Sequence, residues 1–204
     1  MITAILGEEY FLVKKALTKL LDERCPKAAR DFNLDVYEAS ELDIKKLAAA
    51  LGTLPMMAER RCVLIKNAHE LRKSDMDSLE PLVAQVPETT DLIFVGLKAD
   101  NRFGFWKNLL KVAKVMEFKP LTPYEVPKWL IEQSKQEGYQ LSLDAAELIE
   151  AGVGTDLMSL QSTLEKLYHY VYPEKKILPK DVEACVTTFS WNTVFELTDA
   201  VAKK

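Results

Sequence analysis

The sequence predicts an α/β domain on a five-stranded parallel sheet, followed by a small all-helical domain. Three observations carry that prediction. In the first 120 residues, four short and nearly unbroken apolar runs and one alternating run are separated by amphipathic segments. After Pro120 the apolar residues recur only at helical spacing. Strands that are apolar on both faces belong to sheets covered by helices on both sides, with right-handed crossovers between parallel neighbours. The bulk composition agrees: 204 residues, 48 % hydrophobic and 28 % charged, enough for one large domain or two small ones.

The elements follow in order. Residues 2–6 form a buried strand that stops at Gly7. A helix follows, with Tyr10, Val13, Leu17, Leu20 and Arg24 on one stripe and Glu8 and Glu9 in its first turn, where carboxylates suit the helix dipole. Phe32, Leu34 and Val36 alternate with polar residues as a second strand. Ser40 reads as an N-cap with Asp43 three positions on, opening a helix with Ile44, Leu47, Ala48 and Leu51 on one face. Residues 62–65, 92–95 and 115–118 are the remaining strands; Leu79, Leu82, Val83 and Val86, then Trp106, Leu109, Leu110 and Ala113, mark the helices between them. The α/β unit is expected to span 1–120. In the second half, Thr122-Pro123-Tyr124-Glu125 is a helix start, with an N-cap, proline at N1 and glutamate at N3. That helix runs to Gly138, a C′ residue. Ser142 caps the next, which ends at Ala151-Gly152. Asp156 opens a third, lined by Leu157, Leu160, Leu164, Leu167 and Val171, and Leu178-Pro179 a fourth, with Val182, Cys185 and Val186 inward. No strand pattern is visible there, so 121–189 reads as a helical domain. Val194, Leu197, Thr198 and Val201 give 190–204 an amphipathic face that needs a partner, as the start of a linker or third domain would.

Several function classes are disfavoured. A net charge of −4 is a poor footprint for a chain whose main affinity is for nucleic-acid backbone. Cys25, Cys62 and Cys185 are odd in number, far apart and without C-x-x-C spacing, as in a protein of a reducing compartment such as the cytoplasm. The opening MITAILGEEY is too short and acidic for a signal peptide, and no apolar run reaches the ~18 residues of a membrane helix.

A parallel sheet followed by a helical domain is also the layout of AAA+-type ATPase modules. Such a module needs G-x-x-x-x-G-K and then Ser or Thr after its first strand, so that backbone amides and a lysine cradle the phosphates. Here that place reads Gly7-Glu8-Glu9-Tyr10-Phe11-Leu12-Val13-Lys14-Lys15, with negative charge where a triphosphate would sit. The third strand is followed by Lys66-Asn67-Ala68 rather than by carboxylates for magnesium. In Gly154-Thr155-Asp156-Leu157-Met158, a methionine stands where a lid arginine would reach a γ-phosphate. Three parts missing together argue that the fold is kept and hydrolysis is not. No catalytic, cofactor-binding or metal-ligating set is expected. His69 and His169 are isolated, and no zinc spacing or nucleophile motif is present. Tyr168, Tyr170 and Tyr172 read as packing residues before base-stacking ones, and Lys107, Lys111 and Lys114 as a solvated helix face before a phosphate contact.

One stretch remains unexplained by folding alone. TLPMMAERR, residues 53–61, connects a helix to the third strand. Adjacent side chains cannot both face one core, so at least one of Met56 and Met57 is expected in solvent. Methionine recurs on partner-binding surfaces, but it also fills gaps in cores. On residue type alone, both methionines filling a gap under the sheet is the better reading.

These residues together resemble the delta subunit of the bacterial DNA polymerase III clamp loader. The likeness is carried by Gly7-Glu8-Glu9 with Phe11-Leu12, by Leu54-Pro55-Met56-Met57-Ala58-Glu59-Arg60-Arg61 running into Val63-Leu64-Ile65, and by Glu117-Phe118-Lys119-Pro120-Leu121 with Tyr124-Glu125 and Trp129. Ala145-Ala146-Glu147-Leu148, Leu164-Glu165-Lys166-Leu167 and Phe195-Glu196-Leu197-Thr198-Asp199-Ala200 continue it. The resemblance implies an AAA+-like domain and a helical lid without an ATP site, in a cytoplasmic replication protein. A collar domain would hold the subunit to the gamma/tau ATPase and delta-prime subunits, and this chain is expected to stop before it. The polymerase holoenzyme is a nucleotidyltransferase; no intrinsic activity is expected of this subunit. Family members bind and help open the ring-shaped beta sliding clamp through an apolar pair before the third strand. That role falls here on Met56 and Met57, with Leu54 and Pro55 shaping the loop, Arg60 and Arg61 at its polar rim, and DNA touched weakly or only within the complex. The alternatives are a working AAA+ ATPase with unusual motifs and a DNA-binding module of replication or repair.

Overall fold

The computed structural model describes residues 1–186 and builds its first unit, Met1–Lys119, on five parallel strands. They are β1 (Ile2–Gly7), β2 (Leu34–Glu38), β3 (Arg61–Lys66), β4 (Thr90–Gly96) and β5 (Lys114–Phe118), in the order β2-β3-β4-β1-β5. Between them run α1 (Tyr10–Arg24), the single turn α2 (Arg30–Asn33), α3 (Ile44–Gly52), α4 (Lys73–Ala84) and α5 (Gly104–Val112).

The unbroken apolar runs are explained by two cores, one on each face of the sheet. Val63 and Ile65 of β3 and Leu92 and Phe94 of β4 pack with Leu47, Leu79, Trp106 and Leu109 from α3, α4 and α5. The alternate residues Cys62, Leu64 and Ile93 pack with Val13, Leu20 and Leu21 of α1. Each fully buried side chain of this size contributes ~1.5–3 kcal/mol, so both faces must be apolar for the layers to hold. Phe94, Phe105 and Trp106 meet edge to face, with ring centroids 5.6–6.2 Å apart.

The structure corrects several local expectations. Phe32 is not in a strand: it lies in α2, and its side chain is exposed. The edge strand β2 uses Leu34 and Tyr37 on its two faces and leaves Val36 in solvent, so the apparent alternation runs out of register. Ser40 sits in a 3-10 turn, and the cap of α3 is Asp43, whose carboxylate accepts from the amides of Lys45 and Lys46. Two amide bonds to a carboxylate hold the Asp43 pKa below its ordinary value. Lys114 opens β5 and is not on a helix face.

The second unit, from Pro120 onward, carries α6 (Val126–Gln136), α7 (Leu143–Val153), α8 (Leu157–Tyr170) and α9 (Pro179–Val186). Leu130, Ile149, Leu157, Leu160, Leu164, Leu167 and Val182 make its core. The Glu125 carboxylate accepts from the Thr122 amide (2.8 Å) and hydroxyl (2.7 Å), fastening the chain entering α6. Gly138, at φ +80°, ends it with a paired C-terminal motif, Gly138 N–H to Lys135 O and Tyr139 N–H to Ser134 O. Three expectations fail here. Thr122 is not the N-cap of α6, since residues 123–125 form a turn and the helix starts at Val126 with Glu125 at the cap position. Helix α7 runs through Gly152 and stops at Gly154, whose φ of +84° is the one the turn needs. The unit is also not purely helical: β6 (Gln140–Leu141) and β7 (Lys176–Ile177) pair in parallel, in segments too short to show a period. Cys185 is half-buried. The side chain of Val186 and the helix expected at 191–204 lie outside the described residues.

Candidate functional site

The connection between α3 and β3 projects from the end of the sheet where strands begin. Thr53 closes α3 by donating its hydroxyl to Ala49 O (2.7 Å). The chain then turns outward, leaving Leu54 74 % exposed, Met56 54 % and Met57 98 %. Pro55 is half-buried between them. Met57 adopts φ +53°, a left-handed conformation that costs a non-glycine residue ~1–2 kcal/mol. Such a conformation persists only where its surroundings hold it.

Three side chains supply that hold. Asn33, fully buried at the end of α2, accepts the Met56 N–H (2.6 Å) and donates to Met56 O (2.8 Å) and Ala29 O (2.9 Å). Arg60 pairs with the buried Asp91 through Nε (2.7 Å) and Nη2 (2.9 Å) and donates to Glu88 O (2.7 Å). Arg61 donates to Phe32 O (2.9 Å) and forms an ion pair with Asp35 (2.6 Å). The polar rim expected of the two arginines is therefore not where they lie. Both guanidinium groups turn back into the unit and anchor the loop's exit to β4 and to the α2–β2 segment. Leu54, Met56 and Met57 come together as exposed apolar side chains on this one loop. Sequence reading missed Asn33, because a strand through Phe32, Leu34 and Val36 places it among outward polar positions.

At the opposite edge, where strands end, β5 passes tightly against the loop after β1. A Cβ on Gly7 would lie 1.9 Å from Phe118 O, so a glycine is needed to let β5 pass. The Glu9 carboxylate accepts from Phe11 N–H (3.2 Å), occupying the α1 N-terminus with a carboxylate of the chain itself. After β3, Lys66 pairs with Glu38 (3.8 Å), and Asn67 donates to the same carboxylate (3.0 Å). His69 Nδ1 accepts from Leu97 N–H (3.3 Å), a structural role. Met158 is exposed at the start of α8. Tyr168 is buried, stacked on Tyr139 at 4.3 Å and bonded to Ser134, while Tyr170 and Tyr172 are exposed. Lys107 and Lys111 are exposed on α5, and His169 is exposed on α8.

The comparisons with known proteins bear on this geometry. A family model described as DNA polymerase III, delta subunit, matches residues 4–119, more than half of the chain. The chain belongs to that family. The DNA polymerase III subunit delta of Bacillus subtilis is 26 % identical over 208 residues, covering 97 % of this chain and 60 % of the relative. The solved Bacillus subtilis DNA clamp loader delta protein superposes with a TM-score of 0.76 at 26 % identity, over 91 % of this chain and 57 % of that one. The delta-family chain thus spans about three fifths of the relatives it matches. The Thermotoga maritima RuvB Holliday junction branch migration motor superposes with a TM-score of 0.52 at 16 % identity, over 92 % of this chain and 61 % of that one, which speaks for the AAA+-like fold alone. Among the described residues, no helix is long and apolar enough to cross a membrane.

Proposed function

We propose that this delta-family chain is a non-catalytic clamp-binding module, docking the beta sliding clamp through Met56 and Met57 and helping to open the ring during DNA replication in the cytoplasm. One observation carries the reading. Met57 stands almost wholly in solvent, in a left-handed conformation, on a loop fastened at Met56 and Arg60. A chain gains nothing in its own stability from holding an apolar side chain that way, whereas an apolar pocket on a partner does gain from it. Leu54 extends the exposed apolar surface, and Pro55 narrows the conformations open to the loop. Arg60 and Arg61 act behind the docking side chains. The helical unit serves as the lid, and Glu9 on the α1 N-terminus disfavours a bound triphosphate. Assembly with the gamma/tau ATPase and delta-prime subunits belongs to the whole protein, and DNA is met within that complex.

The test is affinity for the cognate sliding clamp. Hot-spot side chains each carry ~2 kcal/mol or more, about 30-fold in affinity, so Met56→Ala/Met57→Ala should reduce binding by about a thousandfold. Exposed substitutions change stability by about 0.5 kcal/mol or less, so the double variant should unfold with the wild type. Undiminished binding by the double variant would remove the assignment.

A further inference from the structure

Both backbone polar groups of Met56 are satisfied by one side chain. Asn33 Oδ1 accepts its N–H and Asn33 Nδ2 donates to its carbonyl, at 2.6 and 2.8 Å. This is the pair of bonds one strand offers another, supplied by a residue 23 positions away in sequence. The second Nδ2 proton goes to Ala29 O, which ties the carboxamide to the start of α2 and fixes its plane. Asn33 is fully buried, so these bonds are shielded from competition by water. An adjoining bond runs the other way: Arg61, where the loop enters β3, donates to the carbonyl of Phe32, the neighbour of Asn33. The α2 turn and the loop are thus stitched at two points, with Met57 immediately beyond one of them.

We propose that Asn33 is the positioning residue of the docking loop. By holding Met56 at both backbone groups it fixes the turn that throws Met57 outward, so the loop is ordered before a clamp arrives. Without it, binding would have to order residues 54–59, and affinity would fall while the docking side chains stayed intact. The inference rests on the reading of Met56 and Met57 as anchors.

The experiment combines amide exchange with clamp affinity. In the wild type the Met56 amide is expected to exchange far more slowly than a solvated loop amide. In Asn33→Ala that protection is lost, the sheet amides of Ile65 and Phe94 keep theirs, and clamp affinity drops by about tenfold. Asn33→Asp separates positioning from bulk stability. Its ionised carboxylate accepts the Met56 N–H but offers no donor to Met56 O or Ala29 O; the neutral acid regains one donor. Clamp binding by Asn33→Asp, taken relative to wild type at each pH, should therefore recover as pH falls, and that of Asn33→Ala should not. A Met56 amide unprotected in the wild type overturns the proposal even if neither variant folds. So does an Asn33→Ala variant that binds as wild type while Met56→Ala/Met57→Ala does not. If the double methionine variant binds as wild type, the anchor reading fails, and the exchange data alone decide whether Asn33 orders the loop.

Discussion

Met57 carries two costs that a passive surface residue avoids: an apolar side chain in water and a left-handed backbone. These separate stability from binding in a way one substitution can read. Met57→Gly relieves ~1–2 kcal/mol of backbone strain and loses ~0.5–1 kcal/mol to unfolded-chain entropy. Its thermal midpoint should equal or slightly exceed that of wild type, while its affinity for the sliding clamp should fall by about 30-fold. A destabilised variant would mean that Met57 packs against its own domain. Met56 differs, since its backbone is held by Asn33 and its side chain is only half exposed. The adjacent pair was readable as partly exposed from periodicity alone. Which of the two stands clear was not, because that depends on a buried amide from another segment.

At the scale of elements, the loop is a bridge between α3 and β3 whose exit is nailed to β4. Asp91 is 1 % exposed and is met by Arg60 at 2.7 Å and by the Met1 ammonium at 3.3 Å. Removing one partner of a buried pair is expensive because the remaining charge stays desolvated. With the ammonium still in place, Arg60→Ala should cost about 3 kcal/mol, the low end for such a loss, measured by denaturant unfolding. A change below the ~0.5 kcal/mol of ordinary surface substitutions would show that the pair is not structural. Four of the first unit's five strands, β1, β3, β4 and β5, and the long helices of both units were legible from their apolar runs and stripes. What failed to show was short or local: the α2 turn, Asp43 displacing Ser40 as cap, the two-residue strands β6 and β7, and the choice of Gly154 over Gly152. Periodicity needs several residues to declare itself, and caps are chosen by where the next element must point. The inward turn of Arg60 and Arg61 was hidden for a related reason: their partners Asp91 and Asp35 come from other strands.

At the scale of the whole molecule, the two ends of the first unit's sheet carry different chemistry. The edge where strands end has Glu9 on the helix N-terminus and Lys66 paired with Glu38. The edge where strands begin carries the apolar loop. The core between them sets a pH limit. Burial pushes the Cys62 thiol up to about 12 from an ordinary 9.0, with the neighbouring Cys25 adding to the shift. A raised folded-state pKa contributes stability that is complete below the unfolded value and lost as pH rises through the folded one. Unfolding free energy should therefore decline between about pH 9 and 12, and Cys62→Ala should flatten that decline. Thiol labelling at pH 8 should reach Cys185 first and the buried Cys25 and Cys62 only on unfolding. The central claim, that the delta-family chain meets a sliding clamp with its methionine loop, is tested most directly in the complex. Methyl-labelled methionine spectra with a soluble paramagnetic agent report which methyls lose contact with solvent when the cognate clamp is added. The account predicts that the Met56 and Met57 methyls become protected while the exposed Met158 methyl does not; a complex in which both loop methyls stay accessible would contradict it.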